Sequence, residues 1–249
     1  PDIVLITEMR EHQKYFAVRS SDGKLTNKFL VVSNNPATDF VKDGNERVIR
    51  ARFSDAEFFF NEDRKHKLES KIESLKTVLF HKELGSIYDK VERVRKTASV
   101  ISKQLKLDAS ICSKIDRAVL LSKADLNTAM VMEFTSLQGK MGRIYALMDG
   151  EDQLVADAIE EHYRPRFQGD AVPSSIVSVV LSAAEKIDNI MGSYSVGNIP
   201  KGSQDPYALR RQANAVADLF IKNRLNADIA LILNECASMY KDGKNLVSK

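Results

Sequence analysis

The 249-residue chain has no tryptophan, two cysteines and four histidines. Cys112 and Cys236 show no CxxC spacing, which excludes a local thiol redox or zinc motif. They fit a reducing, cytoplasmic compartment with both thiols buried as small apolar groups. His12, His66, His81 and His162 never pair at i, i+3 or i+4. Zinc needs three or four N, S or carboxylate ligands in reach, so no local cluster offers a metal site. His81, ahead of a helix in LFHKELGSIYDKV, leaves a ligand role and a plain backbone hydrogen bond both open. No GxSxG, GxxxxGK[ST] or GxGxxG is present, and neither cysteine stands beside a recognisable base, so the residues assign no catalytic group. No apolar run approaches the roughly 20 residues of a membrane span. An initiator methionine is also lacking: Pro1 runs straight into DIVLIT, which is expected of a piece of a longer protein.

What is present is an ordinary globular composition. Hydrophobic residues make up 43% of the chain and charged residues 29%, enough for a sizeable core. The balance of 37 basic and 34 acidic residues, a net of +3, permits nucleic-acid binding without diagnosing it. Residues 1–53 read as strands. DIVLIT is a short β-branched run, KYFAVRSSDGKLTNKFLVVSN is a hairpin around Ser-Ser-Asp-Gly-Lys, and DGNERVIRARF offers one strand more. Residues 54–249 read as an all-helical domain. Ser54 and Glu57 form a capping box opening a charged helix through NEDRKHKLESKIESL. Further helices are expected from Ile87 to Leu105, after a cap at Asp108, over KADLNTAMVMEF, from Thr135 through LQGKMGRIYALM, and over EDQLVADAIEEHY. Pro173 begins another, Pro206 the next, and ADIALILNECASMY carries the last. The expected class is α+β, mostly α.

The basic residues carry most of the functional signal. Arg210 and Arg211 fall in the first turn of a helix, the wrong end for the helix dipole. Lys140 and Arg143 sit at another helix start, Arg164 and Arg166 flank Pro165, and Lys201 lies in the Gly/Pro-rich link before Pro206. Guanidinium groups together with free helix N–H donors suit phosphate or partner carboxylates. The alternative is structural, with Arg210 paired to an acid such as Asp188 and Arg211 solvated. Asp125 and Asp188, inside apolar helices, are expected to be buried carboxylates or to cap and pair with Lys123 or Lys186.

Several long stretches together resemble one family. SKADLNTAMVMEFTSLQGKMGRIYALMDGE, IEEHYRPRFQGDAVP and GSQDPYALRRQA, with FLVVSNN, GNERVIRARFSDAEFFFNEDRK and FHKELGSIYDKVERV upstream, are similar in order and spacing to the β subunit of the bacterial tetrameric glycyl-tRNA synthetase. The resemblance runs from Phe29 to about Phe220. It implies an α2β2 heterotetramer in which the α subunit forms glycyl-adenylate from glycine and ATP with Mg2+, while the β subunit chiefly recognises tRNA(Gly). The implied partners are the α subunit, tRNA(Gly) and a second β subunit, with no membrane; the chain alone is expected to bind no cofactor and to be inactive. The resemblance also implies an HD-like helical domain after an N-terminal β-strand remnant. HD enzymes hold metal with His…His-Asp…Asp, whereas here Lys123 and Asp125 occupy the likely slot and Asp188 the last carboxylate, so the metal ligands are expected to be lost. Ser122, Glu185 and Gln204 stand where the family usually has Cys, Asp and a basic residue; Gln204 removes a charge beside the arginines. Two alternatives accompany this reading, a residual metal-dependent phosphohydrolase using Asp125 and Asp188, and a pure subunit-interaction scaffold. For Arg210 and Arg211, contact with the tRNA backbone and a buried carboxylate pair both stay open.

Overall fold

A computed structural model describes residues 1–34 and 36–240. In chain order these form α1 (Asp2–Thr7), β1 (Phe16–Arg19), β2 (Leu25–Leu30), α2 (Asp39–Asp63), β3 (Leu79–His81), β4 (Gly85–Ser86), α3 (Ile87–Gln104) and α4 (Ala109–Leu121). There follow α5 (Ala129–Glu133), α6 (Lys140–Met148), α7 (Gln153–Glu161), α8 (Ile176–Ser195), α9 (Leu209–Lys222) and α10 (Ile229–Ala237). The class is α+β and mostly α, with two small two-stranded antiparallel sheets. No helix among the described residues is long and apolar enough to cross a membrane.

The chain divides into two compact units. The first comprises Pro1–His66 with Thr128–Gln138. Its hairpin is the one expected: β1 pairs with β2, Phe16 opposite Leu30 and Ala17 opposite Phe29. Gly23 takes a φ of +81° in the turn, where a side chain would be strained. Met9, Tyr15 and Ile49 form the core, with Leu5, Ala17, Phe29 and Phe53 packed on it. Two expected strands are helices instead. DIVLIT forms α1 and leads into a π-helical turn, Glu8–His12, burying Val4, Thr7 and Met9 on one side. DGNERVIRARF lies inside α2, where Ile49, Phe53 and Ala56 recur at helical spacing toward the core. A short β-branched run suits either state, and here the core selects the helical period. The helix cap is Thr38, whose side chain accepts from the Val41 N–H; Ser54 is mid-helix, and a boundary at residue 53 falls inside α2. The helix stops at Asp63, and 3-10 turns at Leu68–Lys71 and Glu73–Thr77 replace its expected continuation.

The second unit comprises Lys67–Asn127 and, of the described residues, 139–240. It contains a small hairpin, β3 with β4, in a stretch the sequence reads without strands, and there the His81 Nδ1 accepts from the Glu83 N–H at 3.2 Å. Ser86 and Asp89 cap α3 reciprocally, and Asp108 caps α4 as expected. At the centre lies α8, packed against α3, α4, α7, α9 and α10. Every residue from Val177 to Asp188 is buried, as befits a helix covered on all sides. Its cap is Ser175, so it starts after Pro173 rather than at it. Cys236 is buried but Cys112 only half-buried, and both thiols are free.

Asp63 closes the first unit's packing, its two carboxylate oxygens accepting from the Ala129 and Met130 N–H groups at 2.8 and 2.9 Å. It is the external cap of α5. Asp63→Ala is expected to cost about 1–2 kcal/mol, read as a lower melting temperature; an unchanged melt would show the cap to be idle.

Candidate functional site

Burying α8 on every side brings its charged residues into the core, where each must find a partner. Glu185 takes the ammonium of Lys123 at 3.2 Å and that of Lys90 at 3.4 Å. Asp188 takes Lys90 at 2.8 Å and the Arg93 Nε at 2.8 Å, and the Tyr240 hydroxyl donates to it at 2.8 Å. Lys90 also donates to the Asn189 side chain at 2.6 Å, and Arg93 to the Leu84 carbonyl at 2.8 Å. Lys123 donates to the His162 Nε2 at 2.7 Å and lies 4.2 Å from the centre of the Tyr163 ring. The other ring nitrogen of His162 lies 2.8 Å from the Ile159 carbonyl, which fixes the proton on Nδ1. Burial, reinforced by Lys123, keeps this imidazole neutral, its pKa well below the usual value. Burial also works to raise the Glu185 carboxyl, but Lys123 and Lys90 outweigh it and hold it well below the carboxylate range.

Asp125 belongs to a separate arrangement. Its Oδ2 accepts the Gly139 and Gly142 N–H groups at 2.6 and 3.1 Å. The glycines are needed for this approach. A Cβ on Gly139, at φ +79°, would lie 2.7 Å from the Tyr163 ring, and one on Gly142 would lie 3.0 Å from that same carboxylate oxygen. Burial raises the Asp125 pKa to about 6, with the two N–H groups opposing. Asp125 and Asp188 thus have different partners, Asp188 pairing with Lys90 and Arg93 rather than with Lys186. The donor set does not fit a metal ion: ammonium groups already hold His162, Glu185 and Asp188. Among the described residues no three His, Cys, Asp or Glu side chains gather as a metal site.

Lys186 points elsewhere. Its ammonium donates to the His162 and Arg164 carbonyls at 3.1 and 2.8 Å and to the Ser182 hydroxyl at 2.7 Å. Burial pushes its pKa down to about 8. This pins the segment that leads, through Pro165, to one wall of an open groove of about 570 Å3. Phe167 and Gln168 line that wall, and Arg210, Arg211, Asn214 and Asp218 of α9 line the other.

The expected basic residues divide between two settings. Arg210 and Arg211 are exposed in the groove. Arg210 donates to the Gly202 carbonyl at 2.5 Å, not to Asp188, and Arg211 makes one long contact of 3.5 Å with the Arg166 carbonyl. Arg166 itself pairs with Asp170 at 3.2 Å, and Lys201 is exposed nearby in sequence. Arg143 is held by Asp157 at 2.6 Å, and Arg164 by Glu160 and Glu161 at 3.3 and 3.7 Å. Lys140 is half-buried and forms no ion pair among the described residues. The helix start also differs. Pro206 precedes α9, whose cap is Ala208 at φ +52°, and Asp205 accepts the Leu209 and Arg210 N–H groups at 2.8 and 3.0 Å. Two of the free N–H donors expected there, those of Leu209 and Arg210, are taken by the chain's own carboxylate. On α9, Leu209, Ala215, Val216, Leu219 and Phe220 are buried, whereas Ala213 is exposed.

Sequence reasoning missed Lys90, Arg93 and His162 as members of the charged core. A signal existed for Lys90: it shares the face of Val91, Val94 and Ile101, where a lysine is out of place unless paired. His162 carried none, because its partner Lys123 is 39 residues away.

Fold and site together define a helical unit organised around a buried charge network, beside an exposed groove with two arginines. The pattern that defines the glycyl-tRNA synthetase beta subunit matches residues 1–249. The chain is 47% identical over 248 residues to the glycine–tRNA ligase beta subunit of Desulforamulus reducens, covering 99% of this chain and 36% of that protein. It is 48% identical over 244 residues to the one from Syntrophomonas wolfei, covering 97% and 35%, and 45% identical over 244 residues to that of Paracidovorax citrulli, covering 97% and 34%. The chain belongs to the glycyl-tRNA synthetase beta subunit family and spans about a third of the length of these relatives.

Two outcomes follow for the core. Lys123→Met leaves Glu185 with Lys90 alone and is expected to cost about 3 kcal/mol, seen in denaturant unfolding; a loss below about 0.5 kcal/mol would mean the pair is idle. For Asp125 the folded pKa is above the unfolded one, so the stability it contributes is present below about pH 4 and lost as pH rises through about 6. Asp125→Asn, which keeps an acceptor oxygen, should therefore gain on the parent between pH 4 and 6.5 by up to about 3 kcal/mol. A difference that stays flat across that range would contradict the shift.

Proposed function

We propose that this chain is a portion of the β subunit of a cytoplasmic α2β2 glycine–tRNA ligase and supports tRNA(Gly) recognition rather than adenylate chemistry. In this reading ATP, Mg2+ and glycine belong to the whole enzyme and its α subunit. The helical unit is read as HD-like, with lysines standing where metal chemistry would need an open site. Against a residual phosphohydrolase speaks the engagement of His162 and Glu185 by Lys123, because a divalent ion would have to displace that ammonium.

The observation that carries the proposal is the setting of Arg210 and Arg211. Both are exposed on one groove, and both donate to main-chain carbonyls rather than to carboxylates. A guanidinium has five N–H donors, so each keeps capacity for a phosphate. Arg143 and Arg164, by contrast, are neutralised by carboxylates of α7 and its end. The competing structural reading of Arg210 lacks its buried carboxylate.

Titration of fluorescent tRNA(Gly) with this chain is the test. Two phosphate contacts predict a loss of about tenfold in affinity between about 50 and 200 mM salt. Arg210→Ala and Arg211→Ala should each weaken binding and lower the salt slope by about one, with unchanged melting temperatures. Absence of binding, or variants that melt early, would return both arginines to a structural role.

A further inference from the structure

We infer that the groove beside Arg210 and Arg211 receives an unpaired ribonucleotide, with its base stacked on Phe167 and its flanking phosphates held by the guanidinium groups. The inference rests on the RNA-binding reading and specifies which part of an RNA the groove takes.

Charge alone is a poor driver here. The two arginines in the groove face two aspartates, Asp205 and Asp218, so its lining has no net formal charge. Asp205 is committed to the Leu209 and Arg210 N–H groups, and Asp218 to Lys222 at 3.1 Å. A duplex would bring a second phosphate strand toward Asp218 and offer no free base face. The phosphates flanking one unpaired nucleotide, each matched to a guanidinium fork and with the base in contact, meet neither objection.

The apolar contact is available and held ready. Phe167 is 57% exposed and lines the groove. Its backbone is not free to wander. Lys186 and Ser182 bind the Arg164 carbonyl, Asp170 accepts from the Arg166 N–H at 2.8 Å, and the Asp170 N–H donates to the Phe167 carbonyl at 3.1 Å. An exposed ring on a loop pinned from a buried lysine loses little entropy when something stacks on it. Beside it, the side-chain amides of Gln168 and Asn214 make no hydrogen bond among the described residues, which leaves donors and acceptors for a base edge. The groove's volume, about 570 Å3, lies within the range of small-ligand clefts. An aromatic platform beside cationic groups is the common arrangement for single strands.

The chain has no tryptophan, so Phe167→Trp introduces a single indole reporter. It is titrated with an unstructured single-stranded RNA of about 12 nucleotides and with a blunt RNA duplex of equal length. The single strand is expected to quench the indole and to bind about tenfold more tightly than the duplex, and Phe167→Ala to lose about tenfold in single-strand affinity. If that variant melts early, the indole signal decides. Single-strand binding that depends on Arg210 and Arg211 but leaves the emission unchanged, or equal affinity for the duplex, would overturn the stacking and leave the RNA reading standing. No binding by either RNA overturns both.

Discussion

The pairing of lysine ammonium groups with carboxylates on a fully covered helix is the constraint from which the second unit follows. Once α8 is buried on all sides, Glu185 and Asp188 lose water and must be met by Lys123, Lys90 and Arg93. Desolvating each ion costs several kcal/mol, which only close geometry and further hydrogen bonds repay. This explains the company these side chains keep. His162, Tyr240 and Asn189 complete the bonds that the ion pairs leave open. It also explains why the cluster is a poor metal site, since its donors are spent on fixed cations.

The same helix links the core to the surface. Lys186 lies one residue beyond Glu185 yet serves a different task, binding main-chain carbonyls at the end of α7. A buried ammonium thus sets the path of the segment that carries Phe167 to the groove. On the opposite wall, Asp205 satisfies the start of α9 from within the chain. The helix end therefore offers no bare anion hole, and recognition there depends on guanidinium groups, side-chain amides and an exposed ring.

Membership of the glycyl-tRNA synthetase beta subunit family is carried by the whole chain, while the chain makes up about a third of its relatives' length. The geometry adds a division of labour among the basic residues. Arg143 of α6 ties that helix to α7 through Asp157, and Arg164 is neutralised by Glu160 and Glu161 of the α7 end. Arg210 and Arg211 of α9 remain open on the groove.

The sequence by itself determined the hairpin, the mostly helical class, the Asp108 cap and, to within a few residues, α3, α4 and α7 to α10, because turn chemistry, capping and 3.6-residue periodicity are local. The helices expected over KADLNTAMVMEF and from Thr135 instead open as 3-10 turns, and α5 and α6 begin only at Ala129 and Lys140. The sequence also carried the family, through long motifs. It did not determine α1 or α2, whose β-branched and alternating residues satisfy a strand pattern until a core formed by Met9, Tyr15 and Ile49 selects one face. Nor did it decide the partners of the charged residues. Lys90 meets Asp188 across 98 positions and Lys123 meets His162 across 39, and no local spacing encodes such pairs. Only the burial of α8 chose them, because a charge removed from water binds whatever opposite charge or dipole the packing brings within reach.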